Sequence, residues 1–268
     1  MTARTLELLA VPIRALRRAG LVWALSLAAL IVLSVAFWPA FREEAGLSDI
    51  LEGLPQPLID AFGLADFGTP AGFLRANLYA VIVPLLVAVA GVLLANGQTA
   101  GEEDSGRMEL YLVQPVSRSA VFVGRIGAAL AWLLVIAAVM LVAQLVSDAA
   151  FDLQIGTDRL VETIVLCTLL GALHAGLAAF VAGLTARPAL VMGIGLAFAV
   201  GGYVVMALFP ISDVLEPWRH ASPWDWALGG DPLVNRTEAW RYLALGGPAI
   251  ALVVVGTVAF TRRDVRSA

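Results

Sequence analysis

The residues best suited to chemistry lie together between Gln98 and Arg118. There Glu102, Glu103 and Glu109 flank Arg107 and the short apolar run Met108, Leu110, Tyr111, Leu112 and Val113. Carboxylates beside an apolar turn can make charge-assisted hydrogen bonds while the apolar side chains fill a groove, which is recognition chemistry rather than bond making. No catalytic, cofactor-binding or metal-ligating set is expected elsewhere. His174 and His220 stand far apart and give no metal-ligand spacing. All 17 basic residues are arginine. Without lysine the chain can carry neither an orthodox phosphate-binding loop nor a Schiff-base nucleophile. Cys167 is the single cysteine, so no internal disulfide is available. His174 follows Cys167 and Thr168 by one to two helical turns. A proton relay there needs carboxylate partners, and the apolar stretches contain none. A histidine bonded to a neighbouring helix or facing a polar cavity is the expected arrangement.

The elements that must position these residues are membrane spans. The chain is 60% hydrophobic and 14% charged, against about 25% charged in a soluble domain. Six charge-free stretches stand out: Ala19 to Phe41, Ala76 to Gly101, Ile126 to Ser147, Thr163 to Ala186, Pro188 to Ser212 and Tyr242 to Thr261. Each matches the roughly 20 apolar residues a helix needs to cross a bilayer. The expected fold is all-α, a polytopic membrane protein with spans at about 20–40, 74–97, 119–147, 161–185, 188–210 and 240–261, forming one transmembrane domain over 1–268. Residues 98–118 then form a connecting segment. The first stretch reads as a retained span, because Trp38, Pro39 and Phe41 occupy the place of a cleavage site.

Arginine placement sets the expected orientation. Arg4, Arg14, Arg17, Arg18, Arg107, Arg118, Arg125, Arg187, Arg262, Arg263 and Arg266 fall on one side; Arg42, Arg75, Arg159, Arg219, Arg236 and Arg241 fall on the other. The richer side is expected in the cytoplasm, with both termini.

Thr5 to Arg18 reads as an interfacial amphipathic helix, with Leu6, Leu9, Ile13 and Leu16 at helical spacing. The loop from Arg42 to Gly72 is expected to hold a short amphipathic segment near Ile50 to Phe62. In the last external loop, Trp218, Trp224, Trp226 and Trp240 read as an aromatic belt at the membrane surface. Pro84 predicts a kink in the second span. Gly171, Gly176, Gly193, Gly195, Gly201 and Gly202 offer small faces for helix packing, within the chain or in a dimer.

The segment from Gln98 to Arg118 is longer than the 2–8 residues or so that joining two helices requires. Thr99 and Glu102 have capping-box spacing and predict a helix start. Pro115 ends that helix, and Ser117 or Ser119 can cap the third span. Here the sequence resembles a known family. Glu102, Glu103, Gly106, Glu109, Leu110, Leu112, Pro115 and Arg118 together are similar to the coupling-helix motif of ABC-2 type ABC transporter permeases. Tyr111 and Gln114 depart from it, standing where small or aliphatic residues are common. The approach from Arg14 to Arg18 into Trp23, the Trp38-Pro39 end of the first span, and the tail from Phe260 to Val265 are also similar to that family, so the resemblance covers the whole chain.

The resemblance implies a permease subunit of an ATP-driven transporter, an exporter of a hydrophobic or amphipathic compound such as a drug, antibiotic or lipid. This chain would hold no cofactor; ATP would be bound and hydrolysed by a separate ATPase subunit. The other implied partners are a second permease copy and membrane lipid, with no nucleic acid. The implied setting is the plasma membrane of a bacterium. In those roles Glu102, Glu103 and Glu109 would meet basic or hydrogen-bonding groups on the ATPase, Leu110 and Leu112 would fill its groove, Gly106 would permit close approach, and Pro115 with Arg118 would set the turn into the third span. The alternative is a membrane assembly, sensing or immunity protein that does not transport.

Overall fold

The computed structural model describes residues 10–43, 68–112 and 115–263. Among them the chain is helical, with no strand. The helices are α1 (Arg17–Ala36), α2 (Trp38–Glu43), α3 (Pro70–Leu74), a π-helical turn (Arg75–Tyr79), α4 (Ile82–Gln98), α5 (Ala100–Asp104), α6 (Arg107–Leu112), α7 (Arg118–Phe151), α8 (Thr157–Thr185), α9 (Pro188–Leu208), α10 (Pro223–Leu228) and α11 (Ala239–Arg262). Among the described residues, six helical stretches are long and apolar enough to cross a membrane: Arg17–Phe41, Pro70–Asp104, Arg118–Phe151, Thr157–Thr185, Pro188–Ile211 and Ala239–Arg262. They are called the first to sixth spans below.

The fourth span (α8) is the axis of the bundle. It packs most extensively on α11 and α4, and also on α7 and α9. Glycine brings the backbones together. A Cβ on Gly183 would fall 2.2 Å from the Gly256 carbonyl oxygen, and one on Gly91 would fall 2.2 Å from that of Gly171. Such closeness supplies dispersion energy that lipid contact cannot. The second and fourth spans are thereby two-thirds buried, whereas only about a quarter of the first, fifth and sixth is. Those three leave most of their apolar surface exposed.

The second span is interrupted where the sequence predicts strain, but upstream of the proline. Pro84 has no amide hydrogen, and its ring crowds the carbonyl four residues earlier. The helix responds with the π turn, in which the Ala80 amide bonds Arg75 O at 2.6 Å, and with a break at Val81 (φ −137°, ψ −59°) before α4 begins. The buried Tyr79 hydroxyl then bonds Gln144 Oε1 of the third span at 3.0 Å.

At the N-terminal end, residues 10–15 are helical and Leu16 is buried, while Arg14, Arg17 and Arg18 are exposed. Trp132 of the third span anchors this stretch by donating its Nε1 hydrogen to Ile13 O at 2.9 Å. Its ring fills the space beside Gly20. Leu6 and Leu9, and the expected amphipathic segment near Ile50 to Phe62, lie outside the described residues.

Two expectations change. Trp224 is not part of an aromatic belt. It is fully buried, tilted against Tyr203 at 5.2 Å and close above Gly202, while Trp218 and Trp240 are exposed. His174 bonds its own helix, Nδ1 to Leu170 O at 2.7 Å, with Phe198 of α9 packed 5.3 Å away. Its neighbour across the interface is a ring rather than a polar group.

Candidate functional site: a clamped segment between the second and third spans

The second span continues past Gln98 as two short helices. Thr99 (φ −117°, ψ −94°) bends the chain, and α5 and α6 are separated by Ser105 and Gly106. The expected capping box does not form, because the Thr99 hydroxyl turns back to donate to Ala95 O at 2.7 Å. Gly106 has φ 73°, the left-handed region that costs a side-chain-bearing residue about 1–2 kcal/mol. Its role is therefore the reversal between α5 and α6. Ser117 caps the third span, its Oγ accepting the Ala120 amide at 3.2 Å. Pro115 stands exposed two residues before it.

Two buried carboxylates fix this segment to the spans. Glu102 is 8% exposed and Glu103 is 3% exposed, so each needs a partner of opposite charge within the chain. Arg107 donates to Glu102 Oε1 from Nε at 3.0 Å and from Nη2 at 2.7 Å. Hydrogen bonding to Glu102 raises the Arg107 pKa above its ordinary value. Glu102 Oε2 meets Arg125 Nη1 of the third span at 3.1 Å. Arg125 is itself buried, donates to Gln98 O at 3.2 Å, and lies 4.4 Å over the ring of Tyr111. Tyr111, the departure from the aliphatic pattern, thus holds a guanidinium by cation–π attraction.

Glu103 takes a bidentate pair from Arg263, with Nη1 to Oε1 and Nη2 to Oε2 both at 2.5 Å. Arg263 follows directly on the sixth span. It also donates to the last carbonyls of the fourth span, Nε to Gly183 O at 2.8 Å and Nη2 to Ala182 O at 3.2 Å. Its own carbonyl accepts from Arg118 Nη1 at 2.8 Å. One arginine therefore joins α5 to the ends of the fourth and sixth spans and the start of the third. Beneath it Phe122 and Phe260 stack at 4.8 Å, tying the third and sixth spans together.

The eight residues singled out in the sequence thus divide. Glu102, Glu103 and Arg118 face inward and are bonded within the chain. Glu109 is exposed on α6. Leu110 and Leu112 belong to α6, but their side chains lie outside the described residues. Met108, part of the expected surface patch, is fully buried. Sequence reasoning missed Arg125 and Arg263 as partners. Each was visible only as a charge at the edge of an apolar span.

Six long apolar helices around a glycine-packed axis define a multi-pass membrane protein. The sequence matches the family model described as ABC-2 family transporter protein over residues 8–265, and the chain belongs to that family. It is the permease, the membrane transport subunit, of an ABC transporter, and membership implies an ABC ATPase subunit as partner. No curated protein matches the chain.

Proposed function

We propose that this chain forms the transmembrane path of an ATP-driven exporter of hydrophobic or amphipathic compounds, and that α5 and α6 are its coupling element. ATP is bound and hydrolysed by the separate ATPase subunit, and the chain itself holds no cofactor. The observation that carries the reading is the clamp. A segment held by two buried ion pairs to the third and sixth spans moves as one body with them. Force applied at α6 therefore reaches the membrane without being absorbed by loop flexibility. Glu109, exposed at the tip, and Leu110 and Leu112 beside it supply the docking contacts; Glu102, Glu103 and Arg118 supply stiffness.

The arginine distribution supports a cytoplasmic location for this end of the bundle and for both termini, as docking to an ATPase requires. The plasma membrane of a bacterium is the setting. A second permease copy completes the path. Gly193, Ala197 and Gly201 recur every four residues along an exposed line of α9, and a Cβ on either glycine would touch nothing within 4 Å. That is the geometry small-residue helix association uses.

The test is co-expression with the cognate ATPase and replacement of Glu109 and Leu112 by arginine. Loss of the complex, with the isolated permease melting normally, is the expected result. An intact complex with normal ATPase stimulation removes the docking role.

A further inference from the structure

A cavity of about 270 Å³ opens at the other end of the bundle, remote from the clamp. Its walls come from the π turn of the second span, the start of the fourth, the end of the fifth, and the connection that follows. Arg75, Arg219, Asp225 and Asp231 line it, so both signs of charge are present. Two of these are committed to each other, since Arg75 Nη1 pairs with Asp231 Oδ2.

The other two are only partly used. The Asp225 side chain is 6% exposed, and His220 Nδ1 sits 2.9 Å from its Oδ2. Oδ1 lies over the Cα of Gly229, where a Cβ would stand 2.2 Å away, and no donor among the described residues reaches it. Asp225 contributes this carboxylate to the cavity wall. Arg219 lines the cavity with its side chain 38% exposed, its Nε turned inward and 3.5 Å from Glu216 Oε1 in an ion pair. A buried carboxylate and a partly exposed guanidinium thus share one cavity. Buried polar groups of this kind require partners.

The rim is apolar where the cavity ends. Ile211, Val214 and Trp218 are 51%, 79% and 65% exposed, next to Pro210 and Arg219 of the wall. Ile211 ends the fifth span and the other two lie in the connection after it; tryptophan at such a span end favours the membrane–water boundary.

We propose that this cavity binds the zwitterionic head of a membrane phospholipid that carries a primary ammonium group. The ammonium donates to Asp225 Oδ1, and the phosphate accepts from Arg219. The acyl chains run over Ile211, Val214 and Trp218. A purely anionic head would bring no donor to Asp225 Oδ1 and would be repelled by the carboxylate. A quaternary ammonium could not donate to it.

The test uses the full-length chain in detergent, exposed to an equimolar mixture of phosphatidylethanolamine, phosphatidylcholine and phosphatidylglycerol, with retained lipid read by native mass spectrometry. Phosphatidylethanolamine should exceed each of the others by about tenfold, the worth of a hydrogen bond between charged groups. Asp225→Asn should erase its advantage over phosphatidylcholine. Arg219→Gln should lower retention of both alike. Equal retention of the three lipids by the wild type overturns the proposal, as does an undiminished ethanolamine preference in Asp225→Asn. Should Asp225→Asn fail to fold, unchanged lipid retention by Arg219→Gln, at a side chain 38% exposed, overturns it instead.

Discussion

Replacing Arg263 with alanine removes the clamp at its centre. Glu103, whose side chain is 2% exposed, loses its bidentate partner, and the carbonyls of Gly183 and Ala182 lose a shared donor. Breaking one side of a buried ion pair costs about 3–5 kcal/mol. Arg263 is 19% exposed, so water can partly replace it, and the lower end of that range, about 3 kcal/mol, is the expected loss. At roughly 2–4 °C per kcal/mol for a chain of this size, the melting temperature should fall by about 10 °C. Arg262→Ala is the matched control, because Arg262 is exposed and makes no ion pair among the described residues. It should shift stability by no more than about 0.5 kcal/mol. Arg263→Lys keeps the charge but not the planar fork and should recover only part of the loss. All three variants are read by tryptophan fluorescence during thermal melting in detergent, and then by ATPase stimulation in the assembled complex. Arg263→Ala should still assemble with the ATPase but stimulate it poorly. A melting shift no larger than that of Arg262→Ala, with full stimulation, would refute the clamp.

Other expectations concern separate parts of the same frame. Gly183→Ala places a methyl 2.2 Å from the Gly256 carbonyl and should cost about 1–3 kcal/mol through overpacking, read as a lower melting temperature. Trp132→Ala opens a void beside Gly20 and releases the Ile13 carbonyl, which should cost about 3–5 kcal/mol and expose residues 10–16 to limited proteolysis. Gly106→Ala forces a side chain into φ 73°; about 1–2 kcal/mol of strain should re-aim α6 and weaken ATPase assembly, measured by co-purification.

Much of the fold is legible in the sequence because the bilayer imposes one simple rule, a long uncharged helix for each crossing. The six apolar stretches are interrupted by charge only at their ends. The interior of the bundle is less legible. Gly171 and Gly176 could be named as packing residues, but which backbone each meets depends on helix crossing. Gly193 and Gly201, identical in sequence terms, face outward. The segment between the second and third spans shows the same division. Its position, its glutamates and its terminating Pro115 follow from local pattern. The partner of Glu103 does not, for it lies 160 residues away. A capping box needs only the right spacing to be suspected, yet the Thr99 hydroxyl found a closer acceptor in its own preceding turn. Residue type alone makes Trp224 interfacial, whereas its burial against Tyr203 and Gly202 is a tertiary fact.

The central claim is that α6 is where the ATPase takes hold of this permease. Cysteine at position 109, with the buried Cys167 as the only native thiol, allows site-specific cross-linking in membranes that contain the ATPase. Glu109→Cys should give a covalent permease–ATPase product whose yield changes when ATP is added, and Val214→Cys, at the opposite end of the bundle, should give none. A product from position 214, or none from position 109 in a complex that hydrolyses ATP, would contradict the claim.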